Sequence, residues 1–292
     1  MGSSKGSTKV QNQIFWKLLW NKALDLIFPP ICPGCGAFGA APCTMCLSKL
    51  EPFPSECGFC RKLTRDSQTH QQCKAHFPLS RLIVAVKYTD VSSKIIEEIK
   101  YKYVTSLVDF VAMQMLATLR NKIANSELQP VFVPVPLHPK RQRERGFNQS
   151  ELIATALANA YSQEKAEKAQ LKVHSGTPPG IEHRSNTPAC QVAVSPQKTK
   201  PFSAPSRALN LLVRTRYTTP QAKLSREKRL QNLSSAFALN TSAPLPPSRS
   251  LFILVDDVVT TGATLTACAR VLKQAFPFHP VWGLAYARRA KS

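Results

Sequence analysis

The sequence predicts an α/β fold, a parallel sheet flanked by helices, preceded by a small module with no hydrophobic core of its own. Two observations carry this. Leu251 to Val255, Thr264 to Ala275 and Val281 to Ala285 read in turn as a continuous apolar strand, a helix and a second apolar strand, the β-α-β order of parallel sheets. Ahead of it, seven of the nine cysteines lie between Cys32 and Cys73, in a stretch rich in Gly and Pro and poor in aliphatic residues.

Taken from the amino terminus, Met1 to Val10 is polar and small, and no segment before the first cysteine has the apolar core of a signal peptide. Gln13 to Ile31 is apolar, but Lys17, Asn21, Lys22 and Asp25 interrupt it, making it too polar and too short to span a bilayer. Ile14, Phe15, Leu18, Leu19 and Leu26 fall roughly on one face of an amphipathic helix, which is expected to pack against the main domain. Pro29-Pro30 ends it. Beyond the cysteines, Leu82 to Val86 suits a strand, and apolar residues recur at helical spacing from Ser92 to Arg120, with Ser92 or Ser93 as the cap. Val131 to Pro136 reads as a buried strand whose prolines mark its exit, and Gln149 to Tyr161 as an Ala- and Leu-rich helix. His174 to Arg207 has the Pro, Ser and Thr content of a disordered insertion, with Cys190 inside it. Order resumes at Leu211-Leu212-Val213, followed by a basic segment from Arg214 to Arg229, a helix through Phe237 and a Pro-rich link from Ala243 to Ser248. The predicted organisation is an amphipathic helix over 1–30, a metal-dependent module over 31–80 and an α/β domain over 81–292, with 174–207 as its insertion.

A hydrophobic content of 43% is enough to fill an ordinary core. The 39 Lys and Arg against 17 Asp and Glu give a net charge of +22, a field that gathers polyanions or phosphate-rich small molecules rather than acidic proteins. Nucleic acid is therefore a candidate partner.

Three C-x-x-C pairs suit metal better than a disulfide framework. Cys32 with Cys35, Cys43 with Cys46, Cys57 with Cys60 and Cys73 with His76 make eight ligands, enough for two tetrahedral zinc sites whose binding energy would order a core-poor segment. Spacing does not fix the pairing, since Cys32 and Cys35 could share a metal with Cys57 and Cys60, and His70 competes with His76 for the last position. No open coordination position is implied, so both zincs are expected to be structural. Thiolate ligands imply a reducing compartment, and a cytoplasmic location is expected.

The most specific stretch is Val255-Asp256-Asp257-Val258-Val259-Thr260-Thr261-Gly262-Ala263-Thr264-Leu265. It joins a strand to a helix, so its backbone amides face an incoming phosphate, Gly262 permits close approach, and the hydroxyls of Thr260, Thr261 and Thr264 add hydrogen bonds. Adjacent carboxylates at the strand's end suit a sugar diol, directly or through Mg2+. A small anionic sugar satisfies both ends. Lys140, Arg141, Arg143 and Arg145, in a predicted loop between a strand and a helix, form an environment suited to a diphosphate. Arg214, Arg216, Lys223, Arg226, Lys228 and Arg229 form a second cluster beside Tyr217, which reads equally as a mobile lid or as a track for a nucleic-acid backbone.

The strand, acidic pair and Thr-Thr-Gly-Ala-Thr turn resemble the phosphoribosyl diphosphate motif of type I phosphoribosyltransferases. Pro134-Val135-Pro136-Leu137-His138, Arg145-Gly146-Phe147-Asn148-Gln149, Arg216-x-Thr218-x-Pro220-Gln221 and Leu224-Ser225-Arg226-x3-Arg229-Leu230-x-Asn232 resemble the signature of ComF-type competence proteins. So do Asp25 to Pro30, the zinc knuckles and Lys100-Tyr101. The resemblance implies a type I phosphoribosyltransferase-like sheet with a zinc-ribbon module. It also implies Asp256 and Asp257 as the catalytic pair on the ribose hydroxyls, and Thr260, Thr261, Gly262, Ala263 and Thr264 on the phosphate. Arg141, Arg143 and Arg145 would meet the diphosphate, with Mg2+ as cofactor. The family's link to natural transformation implies single-stranded DNA and a DNA-uptake helicase as partners. Two classes of function stay open, a phosphoribosyl transfer enzyme and a non-catalytic DNA-binding competence factor. The chain departs from the family at His76, where cysteine is usual, and in the 174–207 insertion.

Overall fold

The computed structural model describes residues 30–39, 42–102, 104–124, 126–174, 207–216 and 236–289. The predicted amphipathic helix, most of the 174–207 insertion with Cys190, and the basic segment beyond Arg216 lie outside them. Strands β1 (Arg81–Lys87), β2 (Gln129–Pro134), β3 (Arg207–Ala208), β6 (Ser250–Val259) and β7 (Val281–Arg288) make one sheet in the order β1-β7-β6-β2-β3, parallel throughout. A separate antiparallel hairpin joins β4 (Leu212–Arg214) to β5 (Phe237–Leu239).

Apolar runs rich in Val, Ile and Leu make β1, β2, β6 and β7, because each of their faces is covered. On one side α2 (Asp90–Lys102), α3 (Thr105–Ile123) and α5 (Gln149–His174) pack Ile95, Met115, Leu119 and Ile153 against Ile83, Ile253 and Leu284. On the other, α6 (Ala263–Ala275) packs Leu265 and Leu272 against Phe252 and Leu254. Phe77, Leu79 and Leu211 share that second core, so the cysteine-rich module and the loop leading into the hairpin are built onto the same face. The described part of the module has little regular structure, with one short α-helix, α1 (Thr44–Leu47). Among the described residues no helix is long and apolar enough to cross a membrane.

Several expectations are corrected. The predicted helix from Ser92 to Arg120 is two helices, broken at Val104, which holds an extended ψ of 99°. Its cap is Thr89 rather than a serine. Ser92 lies within the first turn, accepting from Thr89 N–H at 2.7 Å while its own N–H points at Thr89 Oγ1, 3.5 Å away, a reciprocal box that satisfies two free amides. Lys140, Arg141, Arg143 and Arg145 lie on a helix, α4 (Pro139–Arg145), and not in a loop. Pro139 opens this helix, the His138 ring caps Lys140 N–H at 3.1 Å, and Gly146, at φ 82°, closes it. Phe237 belongs to a strand and not to a helix, paired with Arg214 across the hairpin.

Candidate functional site

A crevice in an open parallel sheet forms at the carboxyl ends of two neighbouring strands whose succeeding helices leave to opposite faces. Here β6 and β2 are neighbours, α6 succeeds β6 on one face, and α5 succeeds β2 on the other. The predicted site residues therefore flank one switch point, Asp256 to Thr264 at the carboxyl end of β6 and in the turn beyond it, and Arg141 to Arg145 after β2.

On the β6 side the acidic pair is heavily engaged. Asp256 Oδ1 accepts from Asp257 N–H at 3.0 Å and from the Ser150 hydroxyl at 3.3 Å, and Asp257 Oδ1 accepts from Val258 N–H at 2.8 Å. Lys100 Nζ, from α2, lies 2.6 Å from Asp257 Oδ2. Burial, with the charge of Asp257 beside it, holds the Asp256 carboxyl well above the usual carboxylate range, and Lys100 opposes the shift. The Lys100 ammonium thus places one positive charge against this pair. Beyond Val259 the chain turns through Gly262 at φ 79°, a left-handed conformation that glycine adopts without steric cost, and enters α6. Ala263 N–H is near Thr261 Oγ1 at 3.4 Å, while the Thr266 N–H and hydroxyl both donate to Gly262 O at 2.9 Å. Thr260 at the tip is exposed. The turn therefore presents hydroxyls and the amino end of a 13-residue helix toward the crevice.

On the β2 side the Arg145 guanidinium lies 5.4 Å over the Tyr101 ring and donates to Gln149 Oε1 at 3.3 Å, which carries α4 toward Lys100 and the acidic pair. Slight desolvation and the charges of Arg214, Arg143, Arg141 and Lys140 hold the His138 imidazole below its usual range. A cluster of cationic side chains thus shares this rim. Ser150 and Lys100 were not visible as site residues in the sequence, because each reaches the carboxylates only through the fold. The one signal was that Lys100 stands beside Tyr101 in the resemblance.

Seven of the eight predicted ligands, with His70, form two groups of four. Cys32, Cys35, Cys43 and Cys46 form one, and Cys57, Cys60, His70 and Cys73 the other, with the ligand atoms of each group within 4.8 Å of one another. The alternative pairing across the two knuckles is not adopted. His70 completes the second group, not His76, since His70 Nδ1 lies 3.2 Å from Cys60 Sγ whereas His76 is exposed and stacks on Phe59 at 5.3 Å. Zinc fits both groups. In a tetrahedral thiolate site neighbouring sulfurs sit roughly 3.8 Å apart for Zn–S bonds of about 2.3 Å, and Cys35 Sγ lies 3.6 Å from Cys43 Sγ. Without a cation, burial and the neighbouring thiols push Cys46 up to about 12, while Cys32 falls to about 6 because backbone amides outweigh its burial. Four thiols this close ionise together only around a positive ion.

The second group adjoins the crevice. Arg288, at the carboxyl end of β7 and 1% exposed, donates to Glu56 Oε1 at 2.9 Å and to Gly58 O at 3.1 Å. Phe77, four residues past Cys73, packs between Gly58 and Gly262, where a Cβ on Gly262 would meet its ring at 3.3 Å. One aromatic ring thus links the second cysteine group to the Gly262 turn.

Three curated relatives agree with this architecture. The chain is 26% identical to "Competence protein F" of Haemophilus influenzae over 250 residues, covering 84% of the chain and 90% of the relative. It is 25% identical to "DNA utilization protein YhgH" of Salmonella typhimurium and 24% identical to the Escherichia coli protein of that name, each match covering 83% of the chain and 77% of the relative. These relatives support the resemblance to the ComF family. No family model matches the chain. A match over 84% of the chain extends into the cysteine module, so the similarity takes in part of the module as well as the sheet.

Proposed function

We propose that the crevice between β6 and β2 binds phosphoribosyl diphosphate with Mg2+, and that the chain works in competence and DNA uptake. The observation that carries the first part is the position of the Asp256 and Asp257 pair with its Gly262 turn on one side of a switch point and Arg141, Arg143 and Arg145 on the other. The second part rests on relatives named for competence and DNA utilization. Thr260, Thr261 and Thr264 with the α6 amides would hold the phosphate, the acidic pair the ribose hydroxyls, and the arginines the diphosphate. Mg2+ would neutralise the diphosphate oxygens beside the acidic pair. Lys100 already matches that charge requirement, and its partner Asp257 is the carboxylate a donor diol would claim. Two structural zincs would order the module, in keeping with a reducing, cytoplasmic setting.

The test is calorimetric titration of the donor with Mg2+ into the wild type and into Asp256→Asn/Asp257→Asn. Heat of binding is expected only from the wild type. Equal binding by both proteins would overturn the reading. A non-catalytic single-stranded DNA-binding factor is the second reading, favoured by the net charge of +22. DNA affinity carried by Lys and Arg falls steeply with added salt, whereas donor affinity carried by amides falls little. Titration of a short single strand at two salt concentrations therefore separates the two, and DNA binding that the double variant leaves unchanged would make the acidic pair irrelevant to it.

A further inference from the structure

We infer that Ser150 is a positioning residue for Asp256, and that through it the acidic pair tells a ribose from a sugar lacking one ring hydroxyl. The inference rests on the donor reading above and adds to it the residue that fixes sugar choice.

Ser150 lies in the first turn of α5 and is 1% exposed. A hydroxyl shut away from water needs a partner within the protein, and a helical serine commonly takes the carbonyl of the preceding turn. Ser162, farther along the same helix, does this, donating to Ala158 O at 2.7 Å. The Ser150 hydroxyl instead leaves the helix and donates to Asp256 Oδ1 at 3.3 Å, across the switch point and 106 residues away in sequence.

Buried neighbours hold it there. Asn148 caps the helix, its Oδ1 accepting from Ser150 N–H at 3.1 Å while its Nδ2 donates to Val135 O at 3.1 Å. Val135 N–H in turn donates to Val255 O at 3.0 Å. The bonds therefore run from Val255 through Val135, Asn148 and Ser150 back to Asp256, the residue after Val255, in a closed ring that spans the carboxyl ends of β6 and β2. Gln149, also buried, accepts from the Arg145 guanidinium at 3.3 Å, so the same turn of α5 ties an arginine of the opposite rim to the ring.

On Asp256 the ring meets a second donor. Asp257 N–H and the Ser150 hydroxyl both lie on Oδ1, and two donors on one oxygen fix the plane of the carboxyl group. Oδ2 is then left, in a set direction, to meet a sugar hydroxyl. Asp257 has its own supports, Val258 N–H on Oδ1 and Lys100 against Oδ2. A site that fixes a polar atom for a hydroxyl rejects the sugar without it, because that atom loses its partner; a carboxyl free to turn finds another partner and rejects the same sugar less.

The experiment titrates the full-length chain with ribose 5-phosphate and with its 2-deoxy and 3-deoxy forms, and with phosphoribosyl diphosphate and Mg2+ alongside. The wild type is expected to prefer ribose 5-phosphate about tenfold over at least one deoxy sugar, the size of one well-placed hydrogen bond. Ser150→Ala keeps the N–H that Asn148 accepts and removes only the hydroxyl. It should bring one of these preferences to within about threefold while changing affinity for that deoxy sugar less than about twofold. A loss confined to one deoxy sugar names the hydroxyl that Asp256 meets. Ser150→Thr, which keeps a hydroxyl, should keep the preference; thermal unfolding shows whether each variant is folded, and Ser150→Ala decides alone if threonine does not fit the buried position. A general structural role would weaken all three sugars alike. That result, an unchanged preference in Ser150→Ala, or a folded Ser150→Thr that behaves like it, overturns the inference, as does a wild type that binds all three sugars equally. If the wild type binds neither ribose 5-phosphate nor phosphoribosyl diphosphate, the donor reading falls and takes this inference with it, an outcome distinct from donor binding that persists with the sugar preference untouched by Ser150→Ala.

Discussion

The two cysteine groups begin from the same knuckle and end in different roles. In each, the first cysteine's N–H donates to a carbonyl five residues on, Ala37 or Lys62, and its C=O accepts from the residue four on, Gly36 or Arg61. That fourth residue is left-handed in both, φ 78° at Gly36 and φ 62° at Arg61. Glycine takes this conformation freely, whereas an arginine costs about 1 to 2 kcal/mol. The second group accepts the cost because Arg61 completes a buried ion cluster, donating to Glu56 Oε1 at 3.0 Å and to Arg289 O at 2.8 Å alongside Arg288. The first group itself meets the α/β domain through the Lys94 bond to Gly34 O at 2.9 Å and the nearby Val91 side chain, and the chain just past it adds the half-buried Leu50 and backbone bonds from Lys87 N–H to Glu51 O at 2.8 Å and from Phe53 N–H to Ala85 O at 3.1 Å. Similar ligand chemistry therefore serves a peripheral module in one case and a buttress of the crevice in the other. The difference arises in the residues just past the last cysteine of each group. Phe77 and Leu79, after Cys73, enter the core, whereas Leu47 to Leu50, after Cys46, include no fully buried side chain.

The sharpest way to break this comparison is to remove one ligand from each group. Cys73→Ala is expected to lower zinc content from two to one per chain, to reduce the main unfolding transition by several kcal/mol and to abolish donor binding, because Phe77 and the Gly262 turn lose their support. Cys35→Ser should also release one zinc, yet leave the main transition and donor affinity close to wild type. Metal analysis with thermal unfolding and calorimetry reads all three quantities, and equal effects in the two groups would refute the distinction. Next in size is Arg288→Met. It leaves Glu56 buried with only Arg61, and loss of one partner from a buried ion pair costs about 3 to 5 kcal/mol. Urea unfolding measures this, and a loss under about 1 kcal/mol would mean that other contacts fix the module.

How legible these features are in the sequence depends on how local their causes are. The apolar runs of β1, β2, β6 and β7 and the turn after Asp257 are readable because continuous Val, Ile and Leu and a Thr-Thr-Gly-Ala-Thr turn specify themselves. Spacing points to the wrong histidine, because a C-x2-H pattern favours His76 over His70. The short turn at Gln71 to Cys73 brings the His70 ring on its near side to Cys60, while burial of Phe77 leaves His76 on the surface. The hairpin strand at Phe237 is hidden for another reason. A three-residue strand has no periodicity to detect, and its partner at Leu212 to Arg214 lies more than twenty residues away. β3 is shorter still, and only its pairing with β2 defines it. Lys100 and Ser150 look like ordinary helix residues until the sheet order brings α2 and α5 to the acidic pair.

Gly262→Ala tests the link between buttress and turn more gently. At φ 79°, with the Phe77 ring 3.3 Å from the new Cβ, it should cost about 1 to 2 kcal/mol and weaken donor binding roughly tenfold, read by the same calorimetry. Asp256→Asn should move stability the other way. The folded carboxyl is held above its unfolded range, so the native state binds the extra proton and ionisation is penalised. The penalty is absent below the ordinary carboxylate range and grows as pH rises toward the raised folded value. The variant is therefore expected to gain about 1 kcal/mol at neutral pH, and to lose that advantage in acid, while donor binding disappears. Unfolding at a series of pH values checks the sign, and a wild type that gains stability relative to the variant as pH rises would contradict it.

The smallest effect expected is at the peripheral group. Lys94→Ala removes the hydrogen bond from the α2 lysine to Gly34 O. An exposed, solvent-screened contact of this kind is worth within about 0.5 kcal/mol, so unfolding should barely change and both zincs should remain. The informative quantity is the exchange of the first zinc with a chelator. If the first group is held to the α/β domain mainly through Lys94 and Val91, its zinc should be lost faster in the variant while the second zinc keeps its rate. Equal acceleration of both would mean the two groups share one support, and the division between a peripheral module and a buttress would have to be abandoned.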